Sequence, residues 1–378
     1  MPSAIVFGAN GISGSAMLQA LVAQKPAQFS KIVAISRRPP QINLDDPRIH
    51  FISIDILNSS LNEIIKKMRD AGTQDATHAF HYTYIAKKDE EELTEVNQEL
   101  FHKALEATAA VAKDLKCFLL QTGYKYYGVH KGGKYLAPIP FKEDAPRHEG
   151  LNFYYVQEDM LKDAAEKYNW QWIVTRPNFI TGVTKGNFMN LAVTLALYAV
   201  LRKELGQPFT FPGNQIMYDN IVDHSAAINN ARFQLWCGEN LAKTGNRAFN
   251  IHDGDKIRFR DVWPKIANYF GLSLPPDAEF FTIPKPKPGE IALQLSIEEY
   301  AKDKHDLWQK ISEKYGLDES AFNYATWDFA DFATGRTWPD DGDMSRAREA
   351  GWTTTVDSFE MYKEVFEKMK RLQMIPEY

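Results

Sequence analysis

The sequence predicts an α/β fold: a doubly wound parallel sheet of Rossmann type, followed by a smaller, mainly helical C-terminal region. Short apolar runs alternate with longer segments of helical period, which is typical of parallel strands joined by crossover helices. The 378 residues suffice for such a sheet and a second region, and 44% hydrophobic with 25% charged residues is an ordinary globular composition. We therefore expect six strands with right-handed crossovers.

The predicted elements follow one another in order along the first half of the chain. The strands are Ala4–Phe7, Ile32–Ile35, His50–Ile54, Ala79–Tyr82, Phe118–Leu120 and Trp172–Thr175. The helices are Ser15–Gln24, Leu61–Met68, about 90–112 and Phe153–Tyr168. Beyond Arg176 the alternation weakens and prolines interrupt it. We place a first domain at 1–184, a smaller region at 185–345 and an amphipathic closing helix within 346–378.

Composition argues against several kinds of partner and site. The net charge of −5 gives no support to a nucleic-acid or anionic-membrane partner. The two cysteines, Cys117 and Cys237, are predicted to be buried free thiols, and we predict no metal site. The apolar stretch 188–201 is too short to span a bilayer and indicates a buried helix. Ala4 has no signal peptide before it, so we expect a cytoplasmic protein.

A glycine-rich loop follows the first strand directly. Gly8, Gly11 and Gly14 have the spacing G-x-x-G-x-x-G, which permits a tight turn and close approach of the backbone to a pyrophosphate. The next helix would direct N–H groups and its positive dipole end to the phosphates. The spacing alone also fits an ordinary strand–helix turn, but its position after a first strand favours dinucleotide binding, with Asn10 and Ile12 as further contacts.

The end of the second strand indicates which dinucleotide is bound. Sites that prefer NAD usually carry Asp or Glu here, where it binds the ribose 2′-hydroxyl. This chain has Ser36, Arg37 and Arg38 instead, and guanidinium groups can pair with a 2′-phosphate. A solvated basic turn is the alternative, but the residues favour NADPH/NADP+. After the third strand, Asp55 and Ile56 are expected near the adenine, unless Asp55 only caps a helix.

The Tyr-x-x-x-Lys pair of short-chain reductases is not found on the expected helix. Three matches begin at Tyr84, Tyr127 and Tyr300. The first match follows the fourth strand, which is one strand too early for the usual helix. The second lies in a glycine-rich segment, and the third lies far beyond the predicted strands. On the helix after the fifth strand, Glu158 follows Tyr154 where the lysine would stand. Lys125, at the carboxyl end of the fifth strand, could supply the ammonium, because ligands of open α/β sheets bind at that edge.

These motifs together resemble the progesterone 5β-reductase and iridoid synthase-like enzymes, atypical, extended members of the short-chain dehydrogenase/reductase superfamily. The matching segments span nearly the whole chain and are 8–14, 36–39, 121–127, 152–159, 176–182, 187–190 and 343–352. The separated Lys125 and Tyr154 are the most specific part. The resemblance implies a catalytic pair that helps NADPH reduce the C=C bond of an enone or enal. Tyr154 would stabilise the enolate, and the Lys125 ammonium would make its hydroxyl more acidic.

The resemblance also implies which residues surround the cofactor and the substrate. Near the nicotinamide and its ribose these would be Thr83, Gln121, Tyr154, Pro177, Ile180, Asn187 and Phe188. Tyr84, where plant members commonly have tryptophan, and Met189 would line the substrate pocket. The segment 128–133 departs from the family pattern, so the substrate is implied only as a small hydrophobic carbonyl compound, and His130 has no assigned role. The family often forms homodimers.

Two alternative functions stay open at this point. The same Tyr/Lys pair could support 1,2-reduction of a ketone or aldehyde, because both reactions place negative charge on a carbonyl oxygen. A non-catalytic, NADP-sensing regulator is less favoured, because such proteins keep the nucleotide loop but lose the tyrosine that this chain retains at position 154.

Overall fold

The computed structural model describes residues 2–41, 45–186 and 188–378, and its centre is a seven-stranded parallel sheet. The strands are β1 (Ser3–Phe7), β2 (Lys31–Ser36), β3 (Ile49–Ser53), β4 (Ala76–His81), β5 (Cys117–Gln121), β6 (Gln171–Pro177), β7 (Phe179–Thr181), β8 (His224–Ala226) and β9 (Arg247–Ile251). The sheet has the order β3-β2-β1-β4-β5-β6-β9, and β7 and β8 form a separate parallel pair. From β1 to β3 successive strands are added toward one edge of the sheet, and from β4 onward they are added toward the other edge. The crevice in which open α/β sheets bind ligands lies at this switch, between β1 and β4.

Helices cover both faces of the sheet and build the C-terminal part. They are α1 (Ile12–Val22), α2 (Leu61–Asp70), α3 (Glu90–Val111), α4 (Phe153–Tyr168), α5 (Leu191–Glu204), α6 (Gln215–Asp219), α7 (Ala227–Glu239), α8 (Leu241–Thr244), α9 (Phe259–Phe270), α10 (Asp277–Phe280), α11 (Ile297–Ala301), α12 (His305–Tyr315), α13 (Trp327–Gly335), α14 (Ser345–Ala350) and α15 (Ser358–Arg371). Short 3₁₀ turns lie at Tyr124–Tyr127, Gly133–Tyr135 and Glu319–Tyr324.

Strand β1 shows why the central strands are apolar along their whole length. Ala4 and Val6 pack in the core between the sheet and helices α1 and α7, whereas Ile5 and Phe7 pack on the opposite side against α2, α3 and α4. Because both faces are buried, each residue of the strand must be compatible with a core. The resulting apolar runs are the signal that predicted the strands.

The predicted fold class is confirmed, and all six predicted strands are present with small shifts at their ends. The prediction of six strands was one too few, because β9 pairs with β6 at the edge of the sheet. Arg247 and Asn250 interrupt its apolar run. Asn250 is nevertheless buried, because its amide donates to the carbonyls of Phe141 and Asp343. Since β9 lies within 185–345, that segment contributes to the main sheet, while the predicted domain limits stay a prediction.

The C-terminal helices enclose a separate apolar core around α5. Every residue of α5 from 191 to 202 is buried, and the closing helix α15 packs against it. The predicted buried helix 188–201 is thus confirmed from Leu191 onward, but it was wrong for Phe188, which precedes the helix and is 44% exposed. Cys117 and Cys237 are buried free thiols, also as predicted. None of the helices in the described part of the chain is both long and apolar enough to cross a membrane.

Candidate active site

The glycine-rich loop has the backbone geometry that a bound pyrophosphate requires. Gly8 has φ +78°, and a Cβ at this position would come within 3.0 Å of the backbone of Tyr82. A Cβ on Gly14 would collide with the carbonyl oxygen of Gly8. The helix α1 begins after Gly11, which offers no side chain to cap it, and its first turn has no acidic residue. The positive dipole end of α1 therefore fits an anionic group at the loop.

A cavity of about 270 Å³ lies beside this loop, at the carboxyl ends of β1, β2 and β3. Its lining includes the predicted cofactor residues Gly8, Asn10, Gly11, Ser36, Arg37, Asp55, Ile56, Thr83 and Phe188. Arg38 is exposed next to Arg37 but lies outside this lining, so its predicted role stays a prediction. Neither guanidinium forms a hydrogen bond or a salt bridge with the described residues. Arg37 is therefore a basic side chain of this cavity without a hydrogen-bonded partner among the described residues, and its charge helps to lower the pKa of Asp55.

Asp55 and Lys185 also line this first cavity. The Asp55 carboxylate accepts hydrogen bonds from the backbone and side chain of Asn58, which hold the pKa of Asp55 below its usual value. It does not cap α2, because Ser60 does so. Lys185, which the sequence did not single out, pairs with Asp318 at 2.6 Å. Lys185 follows β7 and is far from the nucleotide loop in sequence, so no motif pointed to it.

A second cavity of about 210 Å³ continues from the first, and Gly11, Tyr82, Thr83, Tyr84 and Phe188 line both. Further predicted residues on its walls are Ile12, Gln121, Lys125, Tyr154, Pro177, Ile180 and Met189. The structure thus brings the predicted catalytic pair, the predicted nicotinamide contacts and both predicted substrate-pocket residues into one space. The predicted contact Asn187 lies outside the described residues.

One side chain fixes the backbone of both predicted catalytic residues. Asn152 caps the start of α4, where its side-chain oxygen accepts the N–H of Tyr154 at 3.0 Å. The amide group of Asn152 donates to the carbonyl oxygen of Lys125 at 2.8 Å. Lys125 lies in the 3₁₀ turn after β5, so this contact ties that turn to α4. The distance in sequence between the two residues is thus bridged by a single buried asparagine.

The surroundings of Lys125 and Tyr154 set their protonation states. The Lys125 Nζ lies 5.6 Å from the centre of the Tyr84 ring and 5.8 Å from that of Phe153, within the range of a cation–π interaction. Burial lowers the pKa of Lys125, which Glu90 partly opposes. Burial also raises the pKa of Tyr154, and Tyr84 adds to this effect.

The expected acidification of Tyr154 by Lys125 is therefore wrong for this structure, in which the effect of burial dominates. A raised pKa keeps the Tyr154 hydroxyl protonated at neutral pH, as a hydrogen-bond donor must be. Within the described part of the chain this hydroxyl forms no hydrogen bond, and neither does the Lys125 ammonium. Both groups remain available to a ligand in the cavity.

Glu158, which stands where a lysine would be expected, has a structural partner. Its carboxylate accepts hydrogen bonds from Nε and Nη2 of Arg176 at 2.9 to 3.1 Å, and both side chains are only 2% exposed. The Arg176 guanidinium also lies 3.3 Å from the centre of the Tyr126 ring, next to Lys125 in the chain. This buried ion pair therefore supports the turn that carries Lys125.

Several residues on the walls of the second cavity were not predicted. They include Val129 and His130 from the segment 128–133, which departs from the family pattern, and Phe329, Phe332 and Arg336 from α13 and the residue after it. Burial lowers the pKa of His130 to about 3, and Lys125 contributes, so this imidazole is neutral. Sequence gave no signal for the α13 residues, because an apolar helical stripe predicts a core as readily as a pocket.

The family comparison agrees with this geometry. Residues 4–376 match the family described as the PRISE-like Rossmann-fold domain. The chain belongs to this family. The resemblance inferred from the sequence is confirmed, and the family member described here is an oxidoreductase of the short-chain dehydrogenase/reductase type.

Relatives and solved structures extend over the whole chain. The short chain dehydrogenase gsfE of Penicillium aethiopicum is 34% identical over 99% of both chains. The (S)-8-oxocitronellyl enol synthase CYC2 of Camptotheca acuminata is 32% identical, and the 3-oxo-Delta(4,5)-steroid 5-beta-reductase of Arabidopsis thaliana is 29% identical, each over 99% of this chain and 93% of the relative. UDP-glucose 4-epimerase from Bifidobacterium longum, solved with NAD+ and UDP, has a TM-score of 0.64 at 14% identity over 98% of both chains, which shows the fold alone.

Proposed function

We propose that this protein is an NADPH-dependent reductase of α,β-unsaturated carbonyl compounds. The observation that carries the proposal is that Tyr154 and Lys125 line one cavity, which shares five lining residues with the cavity of the glycine-rich loop. Relatives named as an enol synthase and a steroid 5-beta-reductase support a reaction at an unsaturated carbonyl group. A small apolar carbonyl compound suits the aromatic walls.

The residues of the loop cavity fit a nicotinamide dinucleotide, which when bound supplies a hydride. The positive dipole end of α1 would hold its pyrophosphate, and Gly8 and Gly11, which lack side chains, would let it approach the backbone. Arg37 would pair with a 2′-phosphate and so favour NADPH over NADH. Thr83 and Phe188 line both cavities and would lie where the adenosine and nicotinamide halves meet.

The protein groups would act on the carbonyl oxygen of the substrate. When hydride reaches the β-carbon of an enone, the electron pair of the C=C bond moves toward that oxygen. The Tyr154 hydroxyl would donate a hydrogen bond to the oxygen, and the Lys125 ammonium would stabilise its negative charge. A proton then adds to the α-carbon from solvent, which yields the saturated carbonyl compound. The rings of Tyr84 and Phe153 beside Lys125 would limit access of water to this charge.

Paired substrates test the reaction type. Small enals, cyclic enones and steroid enones should support NADPH oxidation, whereas the matching saturated ketones should not. Oxidation of NADPH by the saturated ketones as well would instead identify a 1,2-carbonyl reductase. Binding of NADPH without turnover of any compound would favour the regulator. The predicted homodimer and cytoplasmic location are part of the proposal and need their own measurements.

Replacement of Tyr154 by phenylalanine tests the mechanism. Tyr154→Phe removes one preorganised donor to the developing oxyanion, so we expect kcat to fall by about 10²- to 10³-fold. NADPH binding, measured by fluorescence titration, should stay close to that of the wild type. Tyr155→Phe is the matched control, because the Tyr155 hydroxyl bonds to the backbone of Tyr126 and His148 and lies outside the cavity lining. Turnover near the wild-type rate in Tyr154→Phe would contradict the mechanism.

A further inference from the structure

Arg336 is a buried cation on the wall of the reductase cavity that the proposed hydride transfer does not use. Its side chain is 1% exposed, yet it lines the same cavity as Lys125 and Tyr154. Nη2 donates to Asp340 at 2.8 Å. Nε is buried without a hydrogen-bond partner, and Nη1 forms no hydrogen bond with the described residues either. A buried donor without a partner is costly, so such donors usually indicate a ligand or a water.

The guanidinium group is held in a fixed orientation. Its central carbon lies 5.0 Å from the centre of the Phe179 ring and 5.3 Å from that of Phe332, and both rings also line the cavity. Asp340 anchors one edge of the group. The guanidinium group of arginine is planar, and its donors have fixed relative positions. Because this one is already anchored, binding a ligand with its remaining donors would cost little further side-chain entropy.

A second polar group without a partner lines the same cavity. His130 lines the cavity, and its Nδ1 is buried with no hydrogen-bond partner among the described residues. The indole of Trp338, two residues after Arg336, donates to the carbonyl oxygen of Val129 at 3.0 Å. This bond joins the segment of His130 to the segment of Arg336. Two polar side chains with unused donors or acceptors on one wall suit a polar group of a ligand.

The charges of the lining favour an oxygen acceptor in this place. Lys125 and Arg336 are the charged side chains among the described lining residues, and no carboxylate lines the cavity. The proposed mechanism assigns Lys125 to the reacting carbonyl oxygen, so Arg336 is left for another atom of the substrate. We propose that Arg336 determines specificity by binding a second oxygen of the substrate, a carbonyl or carboxylate oxygen remote from the reacting carbonyl group. This inference rests on the proposed function.

The test compares enals of one chain length whose far end carries a methyl, an aldehyde or a carboxylate group. Loss of Arg336 alone would leave Asp340 unpaired in the core, so the variant is Arg336→Met with Asp340→Asn. We expect the preference in kcat/KM for an oxygen-bearing end over the methyl end to fall about 10- to 100-fold. Arg336→Lys keeps the charge but not the fork and should not restore the preference. Thermal unfolding confirms that each variant is folded.

A binding measurement separates this inference from the proposed function. Calorimetry with the saturated analogues of the same compounds needs no turnover, so it reports on Arg336 even if no enal is reduced. Tighter binding of an oxygen-bearing end to the wild type, lost in the double variant, supports the inference. The aldehyde and carboxylate compounds then show which oxygen is recognised. Equal affinity of the wild type for the methyl end and both oxygen-bearing ends would overturn it.

Discussion

The two ends of the ligand groove are built in opposite ways. At the nucleotide end, the predicted phosphate and adenine contacts come from short segments directly after β1, β2 and β3, and Arg37 is exposed there. At the substrate end, Lys125, Tyr154 and Arg336 come from segments far apart in the chain, and buried partners fix their positions. Substitutions at the nucleotide end should therefore remove single contacts, whereas those at the substrate end should also disturb the core.

The largest effect is expected where the core supports the substrate end. Glu158→Gln removes the carboxylate that pairs with buried Arg176, and a buried charge without its partner costs about 3–5 kcal/mol of unfolding free energy. Chemical denaturation measures this loss.

The adjacent Asp159 provides a matched control for Glu158→Gln. Asp159 pairs with Arg147 at the surface, and this pair has side-chain exposures of 53% and 36%. Asp159→Asn should therefore cost at most about 1 kcal/mol. Equal losses in the two variants would mean that the buried pair is not a special support of the substrate end.

A smaller, purely local effect is expected at the nucleotide end. Arg37→Ala should lower the ratio of kcat/KM for NADPH to that for NADH by about 10- to 100-fold, since a charge-assisted contact with the 2′-phosphate is lost. Steady-state kinetics with both cofactors measures the ratio. The neighbouring Arg38 is exposed but lies outside the cavity lining, so Arg38→Ala should change the ratio much less. A larger change in Arg38→Ala would reverse the assignment of the two arginines.

The pH dependence of turnover should show the smallest effect. Lys125 must carry its charge to stabilise the enolate, and burial lowers its pKa below the ordinary 10.5. The value of kcat should therefore fall as the pH rises through this lowered pKa. Lys125→Arg keeps a charged group at alkaline pH. The residual kcat of this variant should therefore not fall as the pH rises. The same alkaline fall in both proteins would assign it to another group.

The sequence predicted the nucleotide end far better than the substrate end. A strand, three glycines and a basic turn lie within the first 38 residues, so their spacing in the sequence was enough to predict that they form one site. The pair Lys125 and Tyr154 required a family resemblance, because Asn152 joins them only in the fold. The segment of Arg336 is joined to the segment of His130 by a hydrogen bond between Trp338 and Val129. These two residues are 209 positions apart, and no local sequence pattern predicts such a contact.

The position of the transferred hydride in the product distinguishes reduction of the C=C bond from reduction of the carbonyl group. NADPH that carries deuterium at the transferred position is incubated with the protein and an enone, and the product is analysed by NMR. Reduction of the C=C bond gives a saturated ketone with deuterium on the former β-carbon, and this is the product that we expect. An allylic alcohol with deuterium on the carbonyl carbon would contradict it.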